Sequence, residues 1–259
     1  MRSSCVVRAG ELGFTGESGL WGEIYRRSSL CRLSDFVEGC STGEALSGAS
    51  LRLIDPTATA SSDSVVRILD IEAVAVGFGH LVAFLVGIGS VERDTISVDQ
   101  LLLADPVSEA ALLRAVADAV AGSVLLTYNG RAFDMRVLGS RCVANGIHPA
   151  AIEPRFHLDL LPVTRRLHRH ELRSCTLRQA ELRLLRYDRR EDLAGIEGPS
   201  RYRGWLNGAP AEFFEGVVEH NRLDVCCTAA LAQRLAAQIQ GTSAKTTHSE
   251  AGARYNLSR

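Results

Sequence analysis

The stretch Val65-Val66-Arg67-Ile68-Leu69-Asp70-Ile71-Glu72 decides the fold of this chain. Its β-branched and apolar residues are typical of a buried strand. Two acidic residues, Asp70 and Glu72, stand at the end of the run. Residues two apart on a strand point to the same face of a sheet, so the two carboxylates are expected side by side. The sequence therefore predicts a core strand that carries a pair of acids.

Further regular elements follow along the chain. Residues 81–90 and 95–103 predict two more strands, and their short connections favour an antiparallel meander. A helix is predicted from Pro106 to Val120, then a strand over 124–128 and a second helix over 132–144. Three strands, a helix, a strand and a helix in this order predict an α/β core.

The remaining segments suggest how the chain is divided. Residues 156–206 have a helical pattern with polar breaks, and a long C-terminal helix is predicted from Phe213 to Gln238. We predict a core domain over residues 64–240. A Gly/Ser-rich extension over 1–63, whose structure the pattern leaves open, precedes it, and a disordered polar tail over 241–259 follows it.

The composition excludes several classes of protein. The chain has 259 residues, of which 46% are hydrophobic and 23% charged, and this excludes disordered, collagen-like and coiled-coil proteins. No apolar run reaches the ~18 residues of a membrane span, and the N-terminus lacks the order of a signal peptide. Seven scattered cysteines without a CxxC pair favour reduced thiols. We expect a cytoplasmic protein with no membrane partner; no protein partner is indicated.

Two further acidic positions extend the pattern of the first pair. Asp134 follows a predicted strand and the turn at Asn129-Gly130, and functional sites of α/β folds gather at such strand ends. Asp224 lies on the predicted last helix, four residues after His220, so both side chains share one helix face. The apolar residues after Asp224 indicate a buried helix, in which polar side chains need a reason.

Each acidic position alone also has an ordinary explanation. Acids at a strand end can be solvated, Asp134 can complement a helix dipole, and His220 with Asp224 can form a surface pair. Their conjunction favours a nuclease of the RNase-H-like kind, because carboxylate oxygens suit Mg²⁺ or Mn²⁺. Two such ions about 3.5–4 Å apart can activate a water and stabilise the leaving oxygen of a phosphodiester.

Five stretches of the chain carry a resemblance to a known family. They are Leu69-Asp70-Ile71-Glu72, Ala83-Phe84-Leu85-Val86-Gly87-Ile88-Gly89, Thr127-Tyr128-Asn129-Gly130-Arg131-Ala132-Phe133-Asp134, His157-Leu158-Asp159-Leu160-Leu161 and Glu219-His220-Asn221-Arg222-Leu223-Asp224-Val225. In order and spacing they resemble the YprB-like ribonuclease-H-like domain family, a branch of the DEDD 3′–5′ exonuclease superfamily. The resemblance covers roughly residues 64–235. It implies a mixed sheet flanked by helices, with a helical insertion between the third and fourth acidic motifs and a long C-terminal helix.

The resemblance also implies an activity and roles for the acidic residues. The activity is metal-dependent 3′–5′ exonucleolytic hydrolysis of single-stranded DNA or RNA with two Mg²⁺ or Mn²⁺ ions. Asp70, Glu72 and Asp224 would hold one ion, and Asp70 with Asp134, directly or through water, would hold the second. His220 would orient or deprotonate the attacking water, a task that suits a near-neutral imidazole.

Two departures from the superfamily pattern concern catalysis more than metal binding. The superfamily usually has a Tyr four residues before the last Asp, or a His five before it, whereas His220 stands four residues before Asp224. The general base is therefore left open. Glu72 is usually followed by a Thr, and often by Thr-Gly soon after, but here the run is Ala73-Val74-Ala75-Val76-Gly77.

The matching motifs supply candidate substrate-binding residues, namely Tyr128, Asn129, Asn221 and Arg222. Tyr128 and Asn129 serve equally well as residues that only build the turn. Asp159 stands where a strand leads into a helix, and we interpret it as an N-terminal helix residue rather than as a further acid of the site.

A basic segment over residues 165–203 contains eleven arginines and six acidic residues. Its arginines could engage backbone phosphates, and Tyr187, Tyr202 and Trp205 could stack on bases. The alternative is a solvated helix face whose arginine stems cover apolar surface.

Two other functions remain open from the sequence. The missing Thr after Glu72 is compatible with a catalytically impaired nucleic-acid-binding module. The Gly/Ser-rich N-terminal region is compatible with a scaffold domain that does not contact nucleic acid. The sequence does not distinguish DNA from RNA, exonuclease from endonuclease, or one oligomeric state from another.

Overall fold

Seven strands of the computed structural model form one sheet. They are β1 (Thr15–Gly19), β2 (Gly22–Arg32), β3 (Val66–Val76), β4 (His80–Glu92), β5 (Thr95–Leu102), β6 (Val124–Thr127) and β7 (Phe156–Asp159). The structure describes residues 2–37, 46–61, 63–77, 79–189 and 197–256, with side chains described from residue 5 to residue 241 within these ranges.

Eight α-helices surround the sheet in the described part of the chain. They are α1 (Arg2–Glu11), α2 (Gly48–Ile54), α3 (Glu109–Val120), α4 (Asp134–Ala144), α5 (Leu160–His168), α6 (Leu177–Ala180), α7 (Gly198–Leu206) and α8 (Glu212–Asn256). A π-helical turn over Glu181–Leu185 continues α6. Helices α5, α6 and α7 lie between the third and fourth acidic motifs, where the sequence predicted a helical insertion.

The order of the strands in the sheet is β1-β2-β5-β4-β3-β6-β7. Strand β3 pairs antiparallel with β4, and β4 pairs antiparallel with β5, which is the predicted meander. Strand β6 pairs parallel with β3, and β7 pairs parallel with β6, as expected for strands that follow crossover connections. The predicted mixed α/β sheet with flanking helices is confirmed.

Two hydrophobic cores lie on the two faces of the sheet. The side chains of β3 alternate between them, since Leu69 and Ile71 belong to one core and Ile68 to the other. Helix α8 contributes to both cores, with Phe214 in the first and Val225 in the second. A β-bulge between Glu72 and Ala73 interrupts the alternation, so that Val74 returns to the first core.

Two glycines of β4 let α8 lie very close to the sheet. A Cβ at Gly87 would stand 2.6 Å from Oδ1 of Asn221, and a Cβ at Gly89 would stand 2.5 Å from Cγ1 of Val225. Any larger side chain at these positions would push the helix away from the strand. The glycines therefore set the distance between α8 and β4, the strand that pairs with the Asp70 strand β3.

The N-terminal region is part of the sheet. Strand β2 pairs with β5 from Tyr25↔Leu102 to Arg32↔Thr95, and β1 pairs with β2 across a turn at Leu20-Trp21. The sequence pattern left the structure of residues 1–63 open; in the described part of this region, β2 covers an edge of β5 that would otherwise be open. The pairing joins residues about 70 positions apart, which local patterns do not reveal.

Two other boundaries differ from the sequence prediction. Phe156–Asp159 forms strand β7, although the pattern over 156–206 was interpreted as helical. Helix α8 extends to Asn256, through most of the predicted disordered tail, since no proline follows Pro210 and the isolated glycines Gly241 and Gly252 are tolerated in a helix. The remaining domain boundaries stay a prediction. None of the helices in the described ranges is both long and apolar enough to cross a membrane.

We expect the substitution Gly87→Ala to lower the free energy of unfolding by about 1–3 kcal/mol, because the new methyl group overpacks the contact between β4 and α8. Urea denaturation followed by circular dichroism measures the change. Gly139→Ala is the matched control: nothing lies within 4 Å of a Cβ there, and alanine favours the helix. A Gly87→Ala variant as stable as the wild type would contradict the close approach of α8.

Candidate active site

The sheet opens beside the acidic residues of β3. Strand β6 pairs with β3 only from Val66↔Val124 to Ile68↔Leu126, while β3 continues to Val76. The backbone N–H of Ile71 therefore has no partner in β6, and it donates instead to Oδ1 of Asp134 at 3.1 Å. This hydrogen bond brings the third acid to the strand between the first two.

The turn after β6 aims Asp134 back toward β3. Asn129 has a φ of 69°, a left-handed conformation that asparagine tolerates better than most residues. The chain then reverses, and Asp134 is the first residue of α4. The strand–turn–helix arrangement predicted for Asp134 is confirmed.

Asp159 braces this turn. Its carboxylate accepts the backbone N–H groups of Asn129 at 2.8 Å and Arg131 at 3.1 Å, and it caps α5 by accepting the N–H of Leu161 at 3.0 Å. Since backbone donors take both of its oxygens, Asp159 acts as a helix cap and turn support, which confirms our interpretation.

Helix α8 brings a histidine and the fourth acid to the same place. Nε2 of His220 lies 3.8 Å from Oδ2 of Asp224 and 3.9 Å from Oε1 of Glu72. His220 is therefore in contact with carboxylates from both α8 and β3. Its side chain remains 16% exposed, so solvent reaches the imidazole.

Asn221 holds the backbone and the carboxylate of Asp70. Its amide nitrogen donates to Oδ2 of Asp70 at 2.9 Å and to the carbonyl of the same residue at 3.2 Å. Its own oxygen accepts a hydrogen bond from Gln100 at 2.9 Å. The prediction that Asn221 binds substrate is wrong, because its side chain is fully buried and its described hydrogen bonds are internal.

The four acidic side chains lie within electrostatic reach of one another. Burial, followed by the charges of Asp224, Asp134 and Glu72, raises the pKa of Asp70 well above its usual range. Burial is also the main reason why the pKa of Asp134 is raised to about 7. The charges of Asp224, Asp134 and Glu72 therefore all act on Asp70, while the role of the four acids as one metal site stays a prediction.

A buried arginine reaches this acidic group from the helical insertion. Nη2 of Arg189 lies 2.6 Å from Oδ1 of Asp224, and it also bonds the carboxylate of Glu181. The sequence analysis counted Arg189 among the arginines that could bind phosphate and did not identify Glu181. The sequence offered a signal that Glu181 is buried, because this acid stands among the apolar residues Ala180, Leu184 and Leu185.

Comparison with known proteins identifies the family. Residues 68–236 match the RNase_H_2 model, which describes the RNase_H superfamily. The chain belongs to the RNase H superfamily. It is also 32% identical over 176 residues to the uncharacterized protein YprB of Bacillus subtilis (strain 168), which confirms the resemblance to the YprB-like branch. The match covers 68% of this chain and 42% of YprB, so the chain spans less than half of that relative.

The donor set fits the metals that the RNase H superfamily typically uses. Asp70 feels the charges of three further carboxylates, and hard oxygen ligands of this kind suit Mg²⁺ and Mn²⁺. A divalent cation would offset the repulsion that raises the pKa of Asp70. In the described ranges, however, no three His, Cys, Asp or Glu side chains stand close enough to enclose an ion. The chemistry of these donors therefore fits a divalent metal.

Two predicted substrate-binding residues lie at the turn after β6. The hydroxyl of Tyr128 donates to the carbonyl of Cys175 at 2.8 Å, and its ring packs against the second core. Tyr128 therefore supports the turn. Asn129 is exposed beside the start of α4 and remains a candidate for substrate contact.

Arg222 is not brought to the acidic group. Its guanidinium binds both oxygens of Glu219, at 2.8 Å and 2.6 Å. It also lies close to Cys31 and Cys226. Residues two apart on a helix do not share a face, so the side chains of Arg222 and Asp224 point in different directions.

The aromatic residues of the basic segment belong to the interior. Trp205 and Tyr202 are buried, and the Tyr202 ring stacks on Phe84 with centroids 4.3 Å apart. Tyr187 packs against Phe36 with centroids 5.1 Å apart. The prediction that these three residues stack on bases is wrong for Tyr202 and Trp205, and Tyr187 has its own aromatic partner.

The arginines of the basic segment fall into two groups. Arg178 pairs with Asp188, Arg189 with Glu181 and Asp224, and Arg201 with Glu197. Seven others have exposed side chains: Arg165, Arg166, Arg169, Arg173, Arg183, Arg186 and Arg203. Arg190, Glu191 and Asp192 lie outside the described residues. Phosphate binding by the exposed arginines stays a prediction, whereas the ion-paired arginines act within the protein.

We expect Asn221→Ala to lower the free energy of unfolding by about 1–3 kcal/mol, because Gln100 and Asp70 both lose a buried partner. Urea denaturation measures the change. Gln240→Ala, an exposed position on the same helix, is the control and should shift stability by no more than about 0.5 kcal/mol. Equal stability of the two variants would contradict the buried network.

Proposed function

We propose that this protein is a metal-dependent 3′–5′ exonuclease that hydrolyses single-stranded DNA or RNA by a two-metal mechanism. The observation that carries the proposal is the convergence of Asp70, Glu72, Asp134 and Asp224 beside His220. Membership of the RNase H superfamily, whose fold generally binds nucleic acid, supports a nuclease-type function. The exonuclease type, the direction and the single-stranded substrate come from the sequence resemblance.

The acidic residues of the site would hold Mg²⁺ or Mn²⁺. We assign one ion to Asp70, Glu72 and Asp224, and the second to Asp70 with Asp134. When bound, such ions activate water and stabilise the leaving oxygen of a phosphodiester. Asn221 would keep Asp70 in place, and the N–H of Ile71 would do the same for Asp134. The acids would then meet the substrate with little rearrangement.

His220 is the candidate for moving the proton. Its Nε2 faces carboxylates from β3 and α8, so both can stabilise an imidazolium once the ring has accepted a proton from water. Its partial exposure allows that proton to leave to solvent. His220 would therefore act as the general base, or as the group that orients the water.

Exposed arginines would hold the strand by its phosphates. Arg165, Arg166 and Arg169 lie exposed on and just after α5, and Arg173 follows in the next loop. Asp159 caps the start of α5 and also braces the turn before Asp134. Nucleic acid that runs along α5 would thus approach the acidic group, and its affinity would fall with salt.

A catalytically impaired nucleic-acid-binding module is the second candidate. The observation that favours it is the β-bulge between Glu72 and Ala73, at the position where the superfamily usually has a Thr. Bulges beside active sites redirect side chains, and the alanine provides no hydroxyl for the substrate. This candidate predicts binding of single strands without cleavage.

We expect Asp70→Asn and Asp224→Asn to reduce cleavage at least about 100-fold, because each would remove a ligand, and even outer-shell changes cost about 10–100-fold. Strands labelled at the 5′ or the 3′ end, single and double, are incubated with Mg²⁺, Mn²⁺ or EDTA. The wild type should release mononucleotides from 3′ ends with either ion, and EDTA should stop the reaction.

Asp118→Asn, the same change at an exposed position on α3, is the matched control and should leave activity unchanged. Full activity of both site variants would contradict the site assignment. Binding without cleavage under every ion would favour the impaired module, and no binding at all would favour a scaffold domain.

A further inference from the structure

We propose that Arg189, anchored by Glu181, is a positioning residue that fixes the orientation of the Asp224 carboxylate. The inference rests on the proposed function, because it concerns how one of the assigned metal ligands is held. Arg189 donates to Oδ1 of Asp224 at 2.6 Å. Oδ2 of the same carboxylate faces His220 at 3.8 Å. The two oxygens of Asp224 therefore have different partners.

The contact with Arg189 leaves one carboxylate oxygen of Asp224, Oδ2, facing the acidic group. The terminal torsion of an aspartate is broad, so an unrestrained carboxylate would sample many orientations. A guanidinium is a planar, rigid group of donors and restrains a carboxylate oxygen more strongly than a lysine ammonium would. With Oδ1 held by Arg189, Oδ2 is directed to the side where Glu72 also lies near His220.

The anchor of Arg189 is fully buried. The Arg189 side chain is 3% exposed and that of Glu181 is 0% exposed, whereas Asp224 is 19% exposed. A buried arginine persists only with a charged partner, and Glu181 provides it from the π-helical turn after α6. The pair of charges is buried behind Asp224, on the side away from solvent.

The contacts argue against Arg189 as a built-in substitute for a metal ion. Arg189 shares its guanidinium between Glu181 and Asp224, and Arg178 lies 3.7 Å from the other oxygen of Glu181. A substitute cation would need to contact several of the acids, whereas Arg189 holds Oδ1 of Asp224 and leaves Oδ2 facing His220, beside Glu72. The helical insertion therefore supplies a support for a ligand rather than a competitor for its site.

The test measures Mn²⁺ binding to the full chain by isothermal titration calorimetry, independently of cleavage. Arg189→Met should weaken Mn²⁺ affinity by about 10–100-fold, the usual cost of losing an outer-shell partner. Arg189→Lys should recover only part of the loss, since it restores the charge without the planar fork. Arg183→Met, an exposed arginine in the same π-helical turn, is the control and should bind Mn²⁺ like the wild type.

Two further variants separate positioning from folding. In Arg189→Met with Glu181→Met, both buried charges are gone, so a stable fold is expected, and the affinity loss should persist. In an Asp224→Asn background, Arg189→Met should cause no additional loss, because its effect passes through Asp224. Circular dichroism confirms that each variant is folded.

The outcomes distinguish this proposal from the proposed function. A wild type that binds no Mn²⁺ overturns both. A wild type that binds Mn²⁺ while folded Arg189 variants bind equally or more tightly overturns the positioning role alone. Full recovery by Arg189→Lys, or a further loss in the Asp224→Asn background, also overturns it.

A separate observation concerns two cysteines on the other side of α8. Sγ of Cys31 on β2 lies 3.0 Å from Sγ of Cys226 on α8. Cys31 is partly exposed and Cys226 is buried. The hydrogen bond with Cys226 lowers the pKa of Cys31, and the nearby cation of Arg222 acts in the same direction. A partly exposed thiol whose pKa is lowered by its neighbours is a favourable nucleophile.

We infer that Cys31 and Cys226 form a disulfide when the protein meets a low-molecular-weight disulfide. The Cys31 thiolate attacks one sulfur of the small disulfide, forms a mixed disulfide and releases one small thiolate. The Cys226 thiol then attacks Cys31, and its proton passes to the second small thiolate, which leaves as a thiol. Two protein thiols are oxidised and one small disulfide is reduced. The bond would tie β2 to the helix that carries His220 and Asp224.

Oxidised glutathione is the probe, and peptide mapping of the full chain by mass spectrometry is the measurement. We expect a Cys31–Cys226 cross-link in the wild type that dithiothreitol reverses. Cys31→Ser should lack it, while Cys142→Ser, a buried cysteine in the other core, should keep it. The absence of this cross-link in the oxidised wild type, or pairing of Cys31 with another cysteine, would overturn the inference.

Discussion

Mutual repulsion among four buried or half-buried acids is the constraint on which the site depends. Burial, with the neighbouring negative charges, raises the pKa of Asp70 and of Asp134, so the fold must hold the acids in place. It does so with a different partner for three of the four. Asp70 has Asn221, Asp134 has the N–H of Ile71, and Asp224 has Arg189. These partners come from separate elements, which makes the site a property of the assembled domain.

The close contact between α8 and the sheet makes this assembly possible. Gly87 and Gly89 let the helix approach β4, and Asn221 then reaches Asp70 on the neighbouring strand. The early end of β6 leaves the N–H of Ile71 for Asp134. Backbone geometry on both sides of β3 therefore determines where the acidic side chains meet, before any side-chain chemistry is considered.

Local patterns predicted the parts of the site that follow from strand and helix periodicity. Asp70 with Glu72, and His220 with Asp224, were placed on common faces by spacings of two and four residues. Local patterns could not predict pairings between segments that are distant in the sequence. Arg189 belonged to a run rich in arginines, and nothing local marked it as the one that turns inward to Asp224. Asn221 directly follows His220 in the sequence. Local patterns did not show that its side chain is buried against Gln100, because this contact joins distant segments.

The participation of α8 in both cores has a consequence for dynamics. Phe214 anchors one end of the helix on one face of the sheet, and Val225 anchors a later turn on the other. Local opening that released only one face would still leave the helix fastened on the opposite face. Amide hydrogens between these anchors would exchange with solvent only when the whole domain unfolds. His220 and Asp224 therefore belong to the part of the molecule that loses its structure last.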